Sequence, residues 1–254
     1  MNVKNSIFLL IVIMIGTAGI MIHTHANDPW YVAREGNVDQ IIRLLEKGLD
    51  TDQRDNTGNT LLMEAARNNP DAHLVRYLID AGSDLKARNK LGWTPLMCAI
   101  KFNRNPRIIS TLIEAGAPVN VFDNLGHHPL GASVRYNQKA EMIALLFKAG
   151  ASLSDEEADE NLLIKAARFN TDPDVFSLLV ERGYDINVTT AHGQTPLMKA
   201  ALYTTNPEVI TRLLSLGADP RAVDETGLTA FDYAQRNRDL KNTPVYWKLN
   251  EAVY

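Results

Sequence analysis

Apolar residues recur along this chain at spacings of three and four, in short blocks that return at a fixed interval. Leu74, Val75, Leu78 and Ile79 form one block, Ile108, Ile109, Leu112 and Ile113 a second, and Val209, Ile210, Leu213 and Leu214 a third. Such spacing places each block on one face of a helix that buries a single stripe. Ahead of the blocks lie further apolar segments that contain small residues: Ala65-Ala66, Ala99, Ala132-Ser133, Ala166-Ala167 and Ala200-Ala201. Small side chains let neighbouring helices approach closely. The pattern predicts helices in pairs, the first with a small-residue waist and the second with an apolar stripe.

Polar punctuation repeats in the same phase. Gly48, Gly82, Gly116, Gly150, Gly183 and Gly217 fall 34, 34, 34, 33 and 34 residues apart, and Gly58, Gly92, Gly126, Gly193 and Gly227 keep step, with Asp159 in the missing slot. Two interlocked series over most of a chain mark an internal repeat. Thr94-Pro95-Leu96-Met97 and Thr195-Pro196-Leu197-Met198 read as starts of the first helix, with Thr as N-cap and Pro at the first helical position. That helix is expected to end at Asn69, Asn103, Asn137 and Asn170, a residue that tolerates the left-handed conformation of a C-cap. Asn105-Pro106, Asp172-Pro173 and Asn206-Pro207 then start the second helix, and a short polar hairpin leads to the next unit.

These residues strongly resemble the ankyrin repeat, whose pattern runs G-x-TPLH-x-AA through a second helix to LL-x-x-GA. The resemblance covers residues 28 to about 240. It implies an all-α ankyrin-repeat solenoid of about seven helix-turn-helix units with short β-hairpin fingers, the repeats lying near 28–55, 56–89, 90–123, 124–156, 157–190, 191–224 and 225–254. Methionine replaces the motif histidine, as in Leu62-Met63, and the 34-residue period adds one residue between the paired helices where the family norm is about 33. The first unit lacks the opening motif and the added residue, as a capping repeat can. The last keeps Thr229-Ala230-Phe231 and closes with a short helix near Thr243-Pro244. One joint is irregular. Ser154 to Glu160 carries Ser and Glu three apart, a capping box, so the first helix of unit five is expected to begin near Asp155. A calcium loop fits these residues poorly, because Glu160 stands where the turn needs glycine and no glutamate closes the loop.

Residues Ile7 to Ile22 carry no charge, Lys4 precedes them, and Thr24-His25-Ala26 follows with small residues where a signal peptidase reads. Residues 1–26 are therefore expected to be a secretory signal peptide or, since 16 apolar residues fall just short of a comfortable span, an uncleaved N-terminal membrane anchor. Both readings put residues 27–254 outside the cytoplasm by the positive-inside rule. The methionine variant together with this segment points to a Gram-negative bacterium, with the protein periplasmic or secreted, or else anchored in the inner membrane.

Composition narrows the chemistry. Lys4 is the one charged residue before Asp28, so the rest carries 25 basic and 30 acidic side chains, with no basic excess to favour nucleic acid or an anionic membrane. The single Cys98 forms no internal disulfide and no thiolate zinc cluster, and is read as a small buried apolar residue. No G-x-S-x-G elbow, P-loop or H-E-x-x-H helix occurs, and the adjacent pair His127-His128 is poorly placed to share one metal ion. Repeated like residues do not make the converging unlike set that catalysis requires. We expect no catalytic residues, no metal and no cofactor.

Phase mapping does reveal two rows. Arg34, Arg67, Lys101, Arg135 and Arg168 follow the small pair in units one to five, and Phe102, Tyr136, Phe169 and Tyr203 come next in units three to six, with Trp93 and His127 on nearby hairpins. The resemblance implies partner binding on a concave face made of hairpin tips and the ends of first helices. Arg67, Trp93, Lys101, Phe102, His127, Arg135, Tyr136, Arg168, Phe169 and Tyr203 are the candidate contacts. Arginine and aromatic side chains are common hot spots, and such a face suits a protein segment with carboxylates and apolar anchors. Cations at helix C-termini also serve stability alone. Three readings stay open: an exported binding module, a membrane-anchored scaffold, and an inhibitor or immunity-type protein that blocks an enzyme.

Overall fold

The computed structural model describes residues 28–103, 105–136, 138–152 and 161–253. The export segment, Asn137 and the capping box at Ser154 to Glu160 lie outside them. The described residues form two compact units that meet in sequence between Ala117 and Pro118, and both are all-α.

In the first unit, α1 (Pro29–Glu35) pairs with α2 (Val38–Glu46), α3 (Leu61–Asn68) with α4 (Ala72–Asp80), and α5 (Pro95–Phe102) with α6 (Pro106–Glu114). The first helices α1, α3 and α5 pack in sequence as one layer, and α2, α4 and α6 as another. The second unit repeats the scheme: α7 (Pro129–Arg135), α9 (Leu162–Phe169), α11 (Pro196–Tyr203) and α13 (Ala230–Ala234) form the first-helix layer. Against it lie α8 (Ala140–Lys148), α10 (Pro173–Glu181), α12 (Pro207–Ser215) and the closing α14 (Pro244–Val253).

The sequence explains both layers. In α3 every residue from Leu61 to Ala66 is buried, as a helix held between neighbours on either side requires, and the alanine waist allows it. In α4 only Leu74, Val75 and Leu78 are buried, while Ile79 is half-buried at the rim of the stripe. Thr60, Thr94, Thr195 and Thr229 accept from the backbone N–H three residues on, so the expected N-caps are present. Asn105, Asp172 and Asn206 cap the second helices, with proline next in each case. Two residues separate α1 from α2 and three separate α3 from α4, which places the added repeat residue in the inter-helix loop. Gly82 ends α4 at φ +98, a left-handed turn in which an added Cβ would touch nothing, so glycine is needed there for the backbone alone.

Three expectations change. First, Asn69, Asn103 and Asn170 do end their helices, but at φ −76, −86 and −101 they are extended rather than left-handed. Asparagine is there for its amide. Asn103 Nδ2 donates to Ala66 O and Asn69 O, both at 2.9 Å, while its Oδ1 accepts from Asn105 N. Asn69 does the same toward Ala33 and Gly36, Asn170 toward Val134 and Gln138, and Asn237 toward Ala201 and Thr204. Buried side-chain amides thus tie the second, third, fifth and seventh repeats to carbonyls of the repeat before. Second, the first helix of unit five begins at Leu162, not near Asp155. Asn161 caps it by accepting from Leu163 N, and a non-helical N-cap ends a helix on its N-terminal side. Third, the fingers are turns without strands among the described residues, with one isolated bridge between Arg54 and Thr60.

Among the described residues, five fingers are held by a carboxylate, amide or hydroxyl that accepts from backbone N–H groups across the turn. Asp55, Asn89, Asp123, Thr190 and Asp224 all do this. Asp224 also accepts from Tyr233 Oη, and that bond, with those from Thr226 and Leu228, holds its carboxyl well below the usual carboxylate range. Burial, and then the same bond, pushes the Tyr233 phenol upward.

Candidate functional site

The cation and aromatic positions lie at the C-terminal ends of the first helices, where the last turn brings adjacent residues to the edge of the layer. They do not run as two parallel rows. Within each unit they interleave: Arg67, Arg135 and Arg168 lie over the ring of the next repeat, and Lys101 lies over rings of its own. In the first unit the Arg67 guanidinium sits 4.1 Å from the Phe102 ring centroid, and Lys101 Nζ lies 4.3 Å from Trp93 and 5.2 Å from Phe102. Trp93 and Phe102 are themselves 5.7 Å apart at 45°. In the second unit Arg135 and Arg168 flank Phe169 at 4.9 and 4.8 Å, and Arg168 also reaches Tyr203 at 5.8 Å. Each such contact is worth about 0.5–1 kcal/mol where water reaches it. The interleaving therefore staples repeats and, in the same act, holds guanidinium groups in fixed positions.

Other candidates have more local duties. Arg34 forms a 3.8 Å ion pair with the buried Glu64, whose carboxylate also accepts from Asn59 and Asn68. His127 Nδ1 donates to Asp123 Oδ2 at 2.9 Å, so its ring is tied to its own finger. Trp93 is half-buried against Met63, Ala87 and Cys98. Tyr136 is half-buried and ends α7, its backbone N–H donating to Ala132 O. Cys98 is 1% exposed, as expected of a core residue, and burial pushes its thiol up to about 12.

Arg135, Arg168 and Tyr203 stay exposed despite their ring contacts. In the second unit Arg135 and Arg168 open onto a cleft of about 420 Å³, which is completed by Asn161, Ile164, Thr189, Thr190 and Ala191. Sequence reasoning found the two arginines and missed the other five. Thr189 to Ala191 were within reach of it, since they hold the finger phase of the repeat. Asn161 was not, because the expected helix start ran through it. Among the described residues no three His, Cys, Asp or Glu side chains gather where they could hold a metal ion.

The profile of the family described as ankyrin repeats (3 copies) matches residues 62–157 and 163–243, well over half of the chain. The chain belongs to the ankyrin-repeat family. Ankyrin repeats are generally protein-interaction modules and are typically non-catalytic. Among solved structures, the ankyrin repeat domain of human ASB11 is similar at 21% identity and a TM-score of 0.72, covering 89% of this chain and 97% of that one. The ankyrin repeat domain of Bcl-3, described as a unique member of the IkappaB protein family, is similar at 21% identity and a TM-score of 0.60, covering 84% and 95%. At these identities both likenesses speak for the ankyrin fold alone. No curated protein matches the sequence.

Proposed function

We propose that this ankyrin-repeat chain is a non-catalytic module, exported from the cytoplasm, that binds a protein partner through the face bearing the interleaved cations and rings. One observation carries the reading. Arg135 and Arg168 are stacked on Phe169 yet remain exposed and line a cleft, so their positions are fixed while their charge is still presented outward. Rigid arginines beside aromatic surface are what a partner's acidic and apolar side chains can dock on at low entropic cost. Export rests on Lys4, the apolar run Ile7 to Ile22 and Thr24-His25-Ala26.

The length of that run supports a second reading, in which residues 1–26 stay attached and the chain is a scaffold anchored in the inner membrane. An inhibitor or immunity-type role differs from a general scaffold in having one tight partner. Crosslinking in the native compartment followed by mass spectrometry tests the whole proposal. The binding module predicts a discrete protein crosslinked to the repeat region and a mature N-terminus at Asn27. An intact Met1 terminus favours the anchor. A chain with no specific crosslink contradicts the binding function.

A further inference from the structure

We propose that the first unit carries a docking surface of its own, made by the fingers that precede α3 and α5 and by the last turns of those helices, and that its occupant is an acidic protein segment with an apolar anchor. This deepens the binding reading above and rests on it. The surface is continuous. On the fingers, Arg54 Nη1 donates to Gly58 O at 2.9 Å and to Arg88 O at 2.8 Å, and Lys90 Nζ donates to Asn56 O at 2.7 Å. Trp93 closes the second of these fingers, its carbonyl accepting from Asn89 N, and its ring lies 5.7 Å from that of Phe102, the last residue of α5. Lys101 lies over both rings, and Phe102 carries the Arg67 guanidinium at 4.1 Å.

What fixes Arg54 and Arg67 does not neutralise them. Backbone carbonyls hold the first and a ring holds the second, and both kinds of partner are uncharged. The carboxylates beside them are turned inward. Asp55 Oδ1 accepts from Thr57 N, Thr57 Oγ1 and Asn59 N, while the buried Glu64 accepts from Asn59 and Asn68 and pairs with Arg34. Glu35 is exposed at the end of α1, so the attractive surface is that of α3 and α5 with their fingers. The charged side chains of this unit outside the described residues are Lys4 and Arg104, both basic. Apolar ground lies between the cations: Trp93 and Phe102 are half-buried, and Leu91 is 52% exposed on its finger. Fixed positive charge around partly covered rings suits carboxylates that flank an apolar side chain. With 25 basic against 30 acidic residues after Lys4, the chain has no long-range field to gather a polyanion, which favours a protein segment over nucleic acid.

The test is to pan random displayed peptides on the full chain. The winners are then measured on Arg54→Gln/Arg67→Gln, on Arg54→Lys/Arg67→Lys, and on Arg135→Gln/Tyr203→Ala, which alters the second unit alone. Thermal melting of each variant checks that the fold is kept, and a Glu→Gln change in the peptide tests the charge on the unaltered protein. We expect winners in which Asp or Glu flanks an apolar residue. Their binding should fall about tenfold or more on the glutamine pair and by much less on the lysine pair. The Glu→Gln peptide should lose binding to the same extent as the glutamine pair. Winners that ignore both first-unit variants but are lost on the second-unit variant would overturn this surface and leave the binding reading standing, as would winners without acidic residues. Winners indifferent to every variant, or no winners at all, would overturn both. A fluorescent single-stranded oligonucleotide that binds more tightly than any winner, and is lost on the glutamine pair, would assign the surface to nucleic acid instead.

Discussion

At the scale of single residues, environment decides chemistry more than residue type does. Cys98 is the one thiol, and burial raises it to about 12, so almost none is thiolate near neutrality. Ellman's reagent should therefore leave the native protein unlabelled over hours and label one thiol per chain in denaturant. Rapid labelling of the native chain would show that the core around Cys98 opens. Asp224 shows the opposite case. Its carboxyl is depressed chiefly by the Tyr233 hydroxyl, so the stabilisation is fully present above the ordinary carboxylate pKa and is lost as pH falls below about 4 toward the depressed value. Tyr233→Phe should thus lower the melting temperature at pH 7. The gap from wild type should shrink as melting is repeated at progressively lower pH, because a protonated Asp224 has less to lose. A gap independent of pH would place the effect in packing.

At the scale of elements, periodicity was enough to read helix pairs, the threonine N-caps of the first helices, the Asx-Pro starts of the second and the closing helix near Pro244, because each depends on contacts a few residues apart. The role of the Asn amides was not readable in the same way. Asn69, Asn103 and Asn170 were visible at helix ends, but a side chain that bonds the preceding repeat leaves no local trace distinguishing it from a left-handed cap. The two roles separate by mutation. Asn103→Ala removes donors from two carbonyls and an acceptor from Asn105 N, a loss of about 2–3 kcal/mol measured by denaturant unfolding. Asn103→Gly should be at least as damaging, since the backbone there is extended at φ −86 and gains nothing from glycine. A glycine variant of near wild-type stability would restore the left-handed account. Gly82→Ala, by contrast, should cost about 1–2 kcal/mol through its φ of +98 alone.

At the scale of the molecule, helix pairs within each compact unit bury their apolar faces against neighbouring pairs, so stability is shared along the unit and its exposed edge can vary. The repeat phase showed which residues lie on that edge. It did not show that the cations and rings alternate in space, because a stagger of one repeat between Arg67 and Phe102, or between Arg135 and Phe169, is set by how helices stack rather than by any one unit's sequence. That stagger gives the rows two roles, stapling and presentation, which one variant can separate. The direct measurement is the unfolding free energy of Arg67→Glu/Arg135→Glu alongside its affinity for the protein identified by crosslinking. If the face recruits the partner, stability falls by about 2 kcal/mol, the worth of two cation–ring contacts that water partly reaches, while affinity drops by about 30-fold or more, as expected for hot-spot residues. Unchanged affinity alongside that loss of stability would mean the rows only hold the repeats together.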